Sequence, residues 1–430
     1  MKLLAVICAA LGEELYERHA KKEAFWNGLN VSAVDSFFPA LTCPAQAAFR
    51  TALPVSGHGM GASGYYDRNL KKAFFWEQSA RLYEGKRIWE DFRKKKGGKV
   101  AQLCLQQCPG LDSDIYLSPA PIHKHHGGMI QDFFCEPPGL YRDICRETGL
   151  RFNLMNYWGP FASRKSSDWI VSATLEVLRR FSADENVLIL TYLPNLDYAP
   201  QKSGPASRET AQAFSETESM LETLSLAARD SNFEFLLTGD YEITAADTPL
   251  YPNRILLENG FLKVREVNGM LYPNLHSSTA FALTDHQICH IYADNPEDLP
   301  RLKELFSSVS GIARVLERDA VPELAHPRSG ELILEAERNA WFAYKWWTAD
   351  SEAPDYATHV DIHNKPGFDP CEMFLTLWPP MGTSQDCSRI RGSHGRSGGK
   401  VIRASSFAWD KGNDSFLKTA LQLGNMLSGE

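Results

Sequence analysis

The sequence has little of what marks a protein that binds nucleic-acid polymers or spans a membrane. Acidic residues outnumber basic ones by 53 to 45, which gives a formal net charge of −8, whereas a phosphate-backbone footprint requires a basic surface. The longest apolar run near the start, residues 3–11, is shorter than the roughly 20 residues that a membrane helix takes. No internal repeat or low-complexity segment is visible. We therefore predict neither a nucleic-acid polymer as partner nor a membrane span.

A compact cysteine framework is also missing. Nine cysteines are scattered from Cys8 to Cys387, without the second close pair that a zinc ribbon requires. Free thiols in a reducing compartment are therefore expected. The start, Met1-Lys2 followed by the apolar run, is typical either of a short secretory signal or of the first buried strand of a parallel sheet. We favour the strand, and expect the protein in the cytoplasm or an organelle lumen rather than secreted.

What is present is an ordinary globular composition, 43% hydrophobic and 23% charged, with alternating strand and helix patterns. Buried strands are predicted at 99–105, 187–193, 233–237 and 280–293, and helices at 169–181 and 208–230. This alternation predicts an α/β fold with a parallel sheet covered on both faces. In residues 253–348 the regular alternation of strand and helix patterns is interrupted, and we interpret this segment as an α+β insertion. We predict a core at 1–252, an inserted cap subdomain at 253–348, and the C-terminal part of the core at 349–430.

Three polar side chains stand where α/β proteins carry chemistry. Thr42 precedes a helical run that begins near Pro44, so its hydroxyl either only caps the helix or lies at the positive end of the helix dipole, near an attacked phosphate. Asp197 and Asp240 each follow an apolar strand, and the carboxyl ends of parallel strands face the ligand crevice. Either acid alone fits a turn or a helix cap. Together with Thr42 they indicate a metal site.

Histidines near the carboxyl end add further candidates. His394 lies between glycines in a loop rich in glycine, serine and arginine. Asp361 and His363 form an Asp-x-His pattern, which is typical either of a metal ligand and its neighbour on one strand face or of a salt-bridged turn. Asp285 and His286 fall on the predicted strand 280–293, where we expect hydrogen-bonded wall residues.

In this order the motifs resemble the type I phosphodiesterase/nucleotide pyrophosphatase family of the alkaline phosphatase superfamily. The resemblance extends over nearly the whole chain. It implies an alkaline-phosphatase-like three-layer α/β sandwich with a mainly parallel central sheet and an inserted α+β cap. The motifs that carry it are LTCPAQA at 41–47, SGHG at 56–59, GYYD at 64–67, LPNLDY at 193–198, DIHNKPGFDP at 361–370 and RGSHG at 391–395.

The resemblance implies a chemistry for these residues. Two divalent ions, usually zinc, would clamp the attacking and leaving oxygens of an in-line displacement. The hydroxyl of Thr42 would attack phosphorus and form a phospho-threonine intermediate. By position in the motifs, Asp197 and His394 would hold one metal, while Asp240 and Thr42 would hold the other. Ser63 and Tyr198 are the candidate substrate-binding residues.

This sequence departs from the family pattern at three usual metal ligands. Cys8 and its neighbours stand where the first strand normally ends in an aspartate, Gln201 replaces the histidine of an Asp-x3-His motif, and Tyr241 replaces the histidine of an Asp-His pair. Asp361 and His363 are candidate substitutes. The sequence is also similar to an uncharacterised subgroup of the family in which the glutamine and the Asp-x-His run are normal features, which favours altered chemistry over decay.

The leading functional prediction is a metal-dependent hydrolase of a small-molecule phosphate ester, either a phosphodiester or a pyrophosphate bond, with Thr42 as nucleophile. The alternative is a non-catalytic or catalytically altered member that binds a phosphorylated small molecule. The sequence leaves a homo-oligomer open.

Overall fold

The computed structural model describes residues 1–21, 23–126, 128–359, 365, 367, 369–377, 382–410, 412 and 414–429. An eight-stranded sheet forms the centre, and a four-stranded sheet follows it in the chain. In chain order, the strands of these two sheets are β1 (Lys2–Cys8), β2 (Asn30–Asp35), β3 (Lys99–Leu103), β4 (Ile115–Pro119), β5 (Phe133–Glu136), β6 (Val187–Leu193), β7 (Glu234–Gly239), β8 (Ala280–Asp285), β9 (Ile288–Ala293), β10 (Ile312–Glu317), β11 (Leu332–Ala336) and β12 (Lys400–Ser405).

The central sheet has the order β2-β12-β7-β1-β6-β3-β4-β5. Its five middle strands, from β7 to β4, are parallel, whereas β12 and β5 run antiparallel to their neighbours. Strand β1 is central because its residues are apolar on both faces, and residues 3–8 are at most 1% exposed, as expected for a strand buried in a parallel sheet. The strand interpretation of the apolar start is confirmed.

Helices surround this sheet, which gives the mainly parallel α/β architecture that the sequence predicts. Residues Arg208–Asp230 form one helix, with bounds equal to the predicted ones, and its start is capped by Ser207, whose side chain accepts from Thr210 N. No helix among the described residues is long and apolar enough to cross a bilayer. The helices are α1 (Glu13–His19), α2 (Glu23–Asn27), α3 (Thr42–Thr51), α4 (Val55–His58), α5 (Glu90–Lys96), α6 (Leu140–Thr148), α7 (Arg164–Arg180), α8 (Asn195–Ser203), α9 (Arg208–Asp230), α10 (Pro252–Glu258), α11 (Leu299–Ser307) and α12 (Phe416–Ser428).

The second sheet is antiparallel, in the order β8-β9-β11-β10. One prediction is wrong here: residues 280–293 are not one strand but the hairpin β8–β9, with His286 at its turn in a left-handed conformation (φ 56°). The apolar pattern runs through both strands and hides the turn. The hairpin matters because its tip reaches the loop that carries His394, where Gln287 N donates to the carbonyl of His394 at 2.8 Å. The boundaries 253 and 348 of the inserted subdomain stay a prediction.

In the described part of the chain, six short two-stranded pairings accompany these sheets. They are Gly64–Asp67 with Lys72–Phe75, Ile122–His123 with Met129–Ile130, Thr244–Ala245 with Gly392–Ser393, Thr248–Leu250 with Ala340–Phe342, Val264–Val267 with Met270–Pro273, and Leu375–Thr376 with Gly382–Thr383. The pairing of Thr244 with Ser393 fixes the loop that carries His394 against the end of β7. All nine cysteines are free thiols.

Candidate functional site

The predicted residues meet at the carboxyl ends of β1, β6 and β7. Thr42 is the first residue of α3, Asp197 lies in the first turn of α8 just after β6, and Asp240 directly follows β7. His394 follows the short strand Gly392–Ser393. Thr42, Asp197 and His394 line one cavity of about 500 Å³. Asp240 is fully buried and bonds to the loop after β1.

Thr42 does not cap its helix. The N-cap residue of α3 is Leu41, and no side chain makes a capping hydrogen bond. The hydroxyl of Thr42 instead lies near the phenols of Tyr192 and Tyr241, whose pKa it acts to lower against the larger raising effect of burial. Because the side chain is not used as a cap, it is presented to the cavity at the positive end of a ten-residue helix, a position that favours an anion.

Asp197 is held by two donors that replace histidines of the family pattern. Gln201 Nε2 donates to Asp197 Oδ1 at 2.7 Å, and the hydroxyl of Tyr241 donates to the same oxygen at 2.9 Å. Gln201 reaches the acid because it stands four residues later on α8, one helical turn away. Burial raises the pKa of Asp197 to about 6, although the bonds from Tyr241 and Gln201 act to lower it.

Asp240 lies in a drier environment. Its Oδ1 accepts from Ala10 N at 3.1 Å, while its Oδ2 has no hydrogen-bond partner in the described part of the chain. Burial raises the pKa of the Asp240 carboxyl well above its usual range. Burial also raises the pKa of the nearby Cys8 thiol, to which the charge of Asp240 adds. Cys8 is fully buried and is not among the residues that line the cavity.

His394 is fixed in one tautomer and packed between two rings. Its Nδ1 lies 2.9 Å from the carbonyl oxygen of Ala40, and a carbonyl can only accept, so the proton resides on Nδ1 and Nε2 is the acceptor atom of the ring. The ring of Tyr241 stacks on one side, with 3.6 Å between the ring centroids and an angle of 4° between the ring planes. For the ring of His286 the centroid distance is 3.9 Å and the interplanar angle is 32°. Burial lowers the pKa of His394 to about 3, so the imidazole is neutral.

Tyr241 and His286 are the site residues that sequence reasoning missed. Tyr241 was noted only as a departure from the family pattern, and His286 was expected on a strand wall. The sequence does indicate a contact for Gln201, because it follows Asp197 by four residues, which is about one helical turn. No such signal existed for His286, because it enters the site from a hairpin that lies far away in the sequence.

The candidate substrate-binding residues have other contacts. Ser63 N donates to Asp285 Oδ2 at 2.7 Å, and Ser63 is not among the residues that line the cavity. Burial raises the pKa of Asp285 to about 7. Tyr198 does line the cavity, but its hydroxyl donates to the carbonyl of Tyr157 at 2.7 Å. Tyr198 therefore acts as a wall.

Two predicted metal ligands, Asp361 and His363, lie outside the described residues. Among the residues that are described, the His, Cys, Asp and Glu side chains offer three converging ligand atoms in a single place, at Asp369, Cys371 and Cys387. That group is buried away from the cavity.

Among the residues that the structure describes, the donor set at the cavity is too small for two zinc ions. One ion would have Asp197 and His394, and the other Asp240 and Thr42, whereas zinc takes three or four protein ligands at a structural or catalytic site. Gln201 and Tyr241, at the positions of the missing histidines, point their donors at Asp197. Oδ1 of Asp197 therefore accepts two hydrogen bonds from the protein itself.

The wall of the cavity is largely apolar. Its lining residues are Thr42, Trp76, Glu77, Gln78, Ser79, Leu105, Gln106, Pro109, Pro119, Ala120, Pro121, His123, Met129, Phe134, Leu154, Met155, Tyr157, Trp158, Tyr192, Pro194, Asp197, Tyr198, Tyr241, His286 and His394. Thr42, Asp197 and His394 thus share the cavity with many apolar side chains.

Comparisons with solved structures identify similar folds. Phosphonoacetate hydrolase from Sinorhizobium meliloti 1021, in complex with phosphonoacetate, superposes with a TM-score of 0.64 at 13% identity, over 99% of this chain and 96% of that chain. Murine ectonucleotide pyrophosphatase/phosphodiesterase 5 superposes with a TM-score of 0.57, also at 13% identity, over 100% of this chain and 95% of that chain. At this identity the likeness shows a shared fold.

A search of curated proteins gives no match. The sequence profile described as "Type I phosphodiesterase / nucleotide pyrophosphatase" matches residues 18–369, which is most of the chain and includes Thr42, Asp197 and Asp240. The chain therefore belongs to the type I phosphodiesterase/nucleotide pyrophosphatase family.

Proposed function

We propose that this protein hydrolyses a small-molecule phosphate ester, with Thr42 as the nucleophile. The observation that carries the proposal is that Thr42, Asp197 and His394 line one cavity at the carboxyl ends of the parallel strands. Family membership supports the reaction class. The residues themselves support the division of roles, since a hydroxyl, a neutral imidazole and a carboxyl face the same space.

The residues around Thr42 can carry out the proton transfers of such a reaction. The phosphate binds at the start of α3, where the helix dipole favours negative charge. The Thr42 oxygen attacks phosphorus while its proton passes to an acceptor that faces the cavity, either the Asp197 carboxylate or Nε2 of His394. The ester oxygen of the alcohol leaves with the electron pair of the broken P–O bond and takes up a proton from solvent. Water then attacks the phosphorus of the phospho-threonine and gives up a proton to solvent, while the Thr42 oxygen leaves with the electron pair of its P–O bond and recovers its proton from the same acceptor.

The surrounding residues hold His394 ready for this role. The carbonyl of Ala40, two residues before the nucleophile, keeps the Nδ1 proton and so ties the orientation of the ring to Thr42. Tyr241 and His286 restrict the ring from both faces. Because the described residues alone do not supply enough ligands for two zinc ions, no step of this mechanism passes through a metal. Metal dependence stays a prediction from the family resemblance.

A second function is favoured by a specific contact. The two donors on Asp197 satisfy its Oδ1 without a metal, as expected for a member that binds a phosphorylated ligand without turnover. The two functions differ in what they predict for 4-nitrophenyl phosphate and bis(4-nitrophenyl) phosphate. The hydrolase releases nitrophenol, whereas the binding protein only binds these esters.

The test compares the parent with Thr42→Ala, Thr42→Ser and a control, Thr51→Ala. Thr51 lies on the same helix, where its hydroxyl donates to the carbonyl of Ala47 at 2.8 Å. We expect Thr42→Ala to lower kcat by orders of magnitude, Thr42→Ser to keep measurable turnover, and Thr51→Ala to retain activity. Turnover that survives in Thr42→Ala would contradict the role of Thr42. A metal-supplemented parent that binds both esters without turnover would support the second function.

A further inference from the structure

We propose that the cavity beside Thr42 selects phosphate esters of a large apolar alcohol rather than nucleotides. This inference names the substrate class and rests on the proposed function. Much of the cavity wall consists of aromatic and aliphatic side chains, among them Trp76, Leu105, Leu154, Met155 and Trp158. A volume of about 500 Å³ is in the range of sites that enclose a small-molecule ligand.

Two polar side chains in this wall, Gln78 and Ser79, already bond to the protein. Gln78 Nε2 donates to Gln106 Oε1 at 2.6 Å, and Gln78 Oε1 accepts from Gln107 N at 3.2 Å. Ser79 Oγ accepts from Arg81 N at 3.2 Å. A nucleobase or ribose would bury several polar groups against these residues. Each polar group of the ligand that is buried without a hydrogen-bond partner weakens binding. A hydrocarbon chain has no polar groups and does not incur this loss.

The charge of the wall also disfavours nucleotide di- and triphosphates. Among the lining residues that the structure describes there is no lysine or arginine, and Glu77 and Asp197 are acidic. The start of α3 offers a place for one phosphate group. A second phosphate in the same cavity would have no cationic side chain beside it and would be repelled by Glu77.

The apolar wall continues to the outside of the molecule. His123 and Met129 line the cavity, and they belong to a short hairpin whose neighbouring residues Ile122 and Ile130 are 54% and 50% exposed. Phe134, also a lining residue, is 57% exposed. A hydrocarbon chain that starts at the phosphate can therefore pass along the wall and continue over this rim.

The first experiment measures binding without turnover, by calorimetry on the Thr42→Ala variant. The probes are ethyl, butyl, hexyl and octyl phosphate, with adenosine monophosphate and diphosphate for comparison. Each buried methylene strengthens binding about fourfold, so we expect affinity to rise along the alkyl series and octyl phosphate to bind more tightly than either nucleotide. Affinity that does not change with chain length, or tighter binding of a nucleotide, would overturn the proposal.

A surface variant tests the path of the chain. Phe134→Ser removes an exposed ring from the rim, and Leu226→Ser removes a similarly exposed leucine (44%) from α9. We expect Phe134→Ser to weaken octyl phosphate and leave ethyl phosphate unchanged, and Leu226→Ser to change neither. If the two variants changed the affinity for octyl phosphate equally, the hydrocarbon chain would not pass over the rim at Phe134.

The two proposals can fail separately. Hydrolysis of octyl phosphate by the parent protein is measured in parallel. If affinity rises with chain length but no ester is cleaved, the apolar selectivity stands and the hydrolase function fails. If 4-nitrophenyl phosphate is cleaved but the alkyl series shows no trend, the hydrolase stands and the selectivity fails.

Discussion

Replacing Tyr241 by phenylalanine removes one hydroxyl from the site and leaves the ring that stacks on His394. The hydroxyl donates to Asp197 Oδ1 at 2.9 Å, and the acid is 6% exposed. A hydrogen bond to an ionised group contributes about 1.5–3 kcal/mol to folding, and one to a neutral group about 0.5–1.5 kcal/mol. The cost of Tyr241→Phe should therefore depend on whether Asp197 is ionised.

The sign follows from the pKa of Asp197. Because burial raises this pKa to about 6 in the folded protein, above the usual 3.8, the folded state holds the proton more tightly and stability falls as the pH rises from about 4 to 6. Loss of the Tyr241 donor moves the folded pKa higher still. We expect Tyr241→Phe to lower the free energy of unfolding by about 2–3 kcal/mol at pH 8 and by about 1 kcal/mol at pH 5.

The assay is urea unfolding at both pH values with a chelator present throughout. Tyr198→Phe is the matched control, since the Tyr198 hydroxyl donates to a neutral carbonyl, that of Tyr157, at 2.7 Å. Its cost should be equal at pH 5 and pH 8. The reasoning is refuted if Tyr241→Phe costs the same at both pH values, or if the control shows the larger pH dependence.

Two further predictions concern neighbouring groups. Burial raises the pKa of Asp285 from 3.8 to about 7, so the stability of the folded protein falls as the pH rises through that range. Asp285→Asn should remove this pH dependence. The free energy of unfolding of the variant, relative to that of the parent, should therefore rise by at most about 4 kcal/mol between pH 4 and 7. A flat difference would show that Asp285 does not titrate there. The triple variant Cys8→Asp, Gln201→His, Tyr241→His restores the usual metal ligands of the family. Equilibrium dialysis should then show that the variant binds zinc more tightly than the parent does. Equal affinity of the two proteins would mean that these three positions do not limit metal binding.

The sequence predicts the frame of this fold well where local patterns agree with the tertiary environment. The apolar run of β6 and the long amphipathic helix α9 end at the predicted residues. Asp197 and Asp240 could be placed at one edge of the sheet because parallel strands end on the same side.

The contacts within the site could not be predicted in the same way. The bond from Tyr241 to Asp197 joins residues 44 positions apart, and nothing in a local pattern shows that a tyrosine would satisfy that acid. His286 was assigned to a strand because the apolar residues on both sides of the β8–β9 turn read as one continuous run. Its role beside His394 depends on how the second sheet docks, which is a tertiary property.

The central claim is that Thr42 attacks the phosphate ester, and one measurement tests it most directly. The parent is mixed with 4-nitrophenyl phosphate, quenched in acid and digested, and the peptide that contains Thr42 is analysed by mass spectrometry. The account predicts a phosphoryl group on Thr42, formed together with released nitrophenol and absent from Thr42→Ala. Nitrophenol release at the parent rate by Thr42→Ala, or a phosphoryl group on another residue, would contradict it.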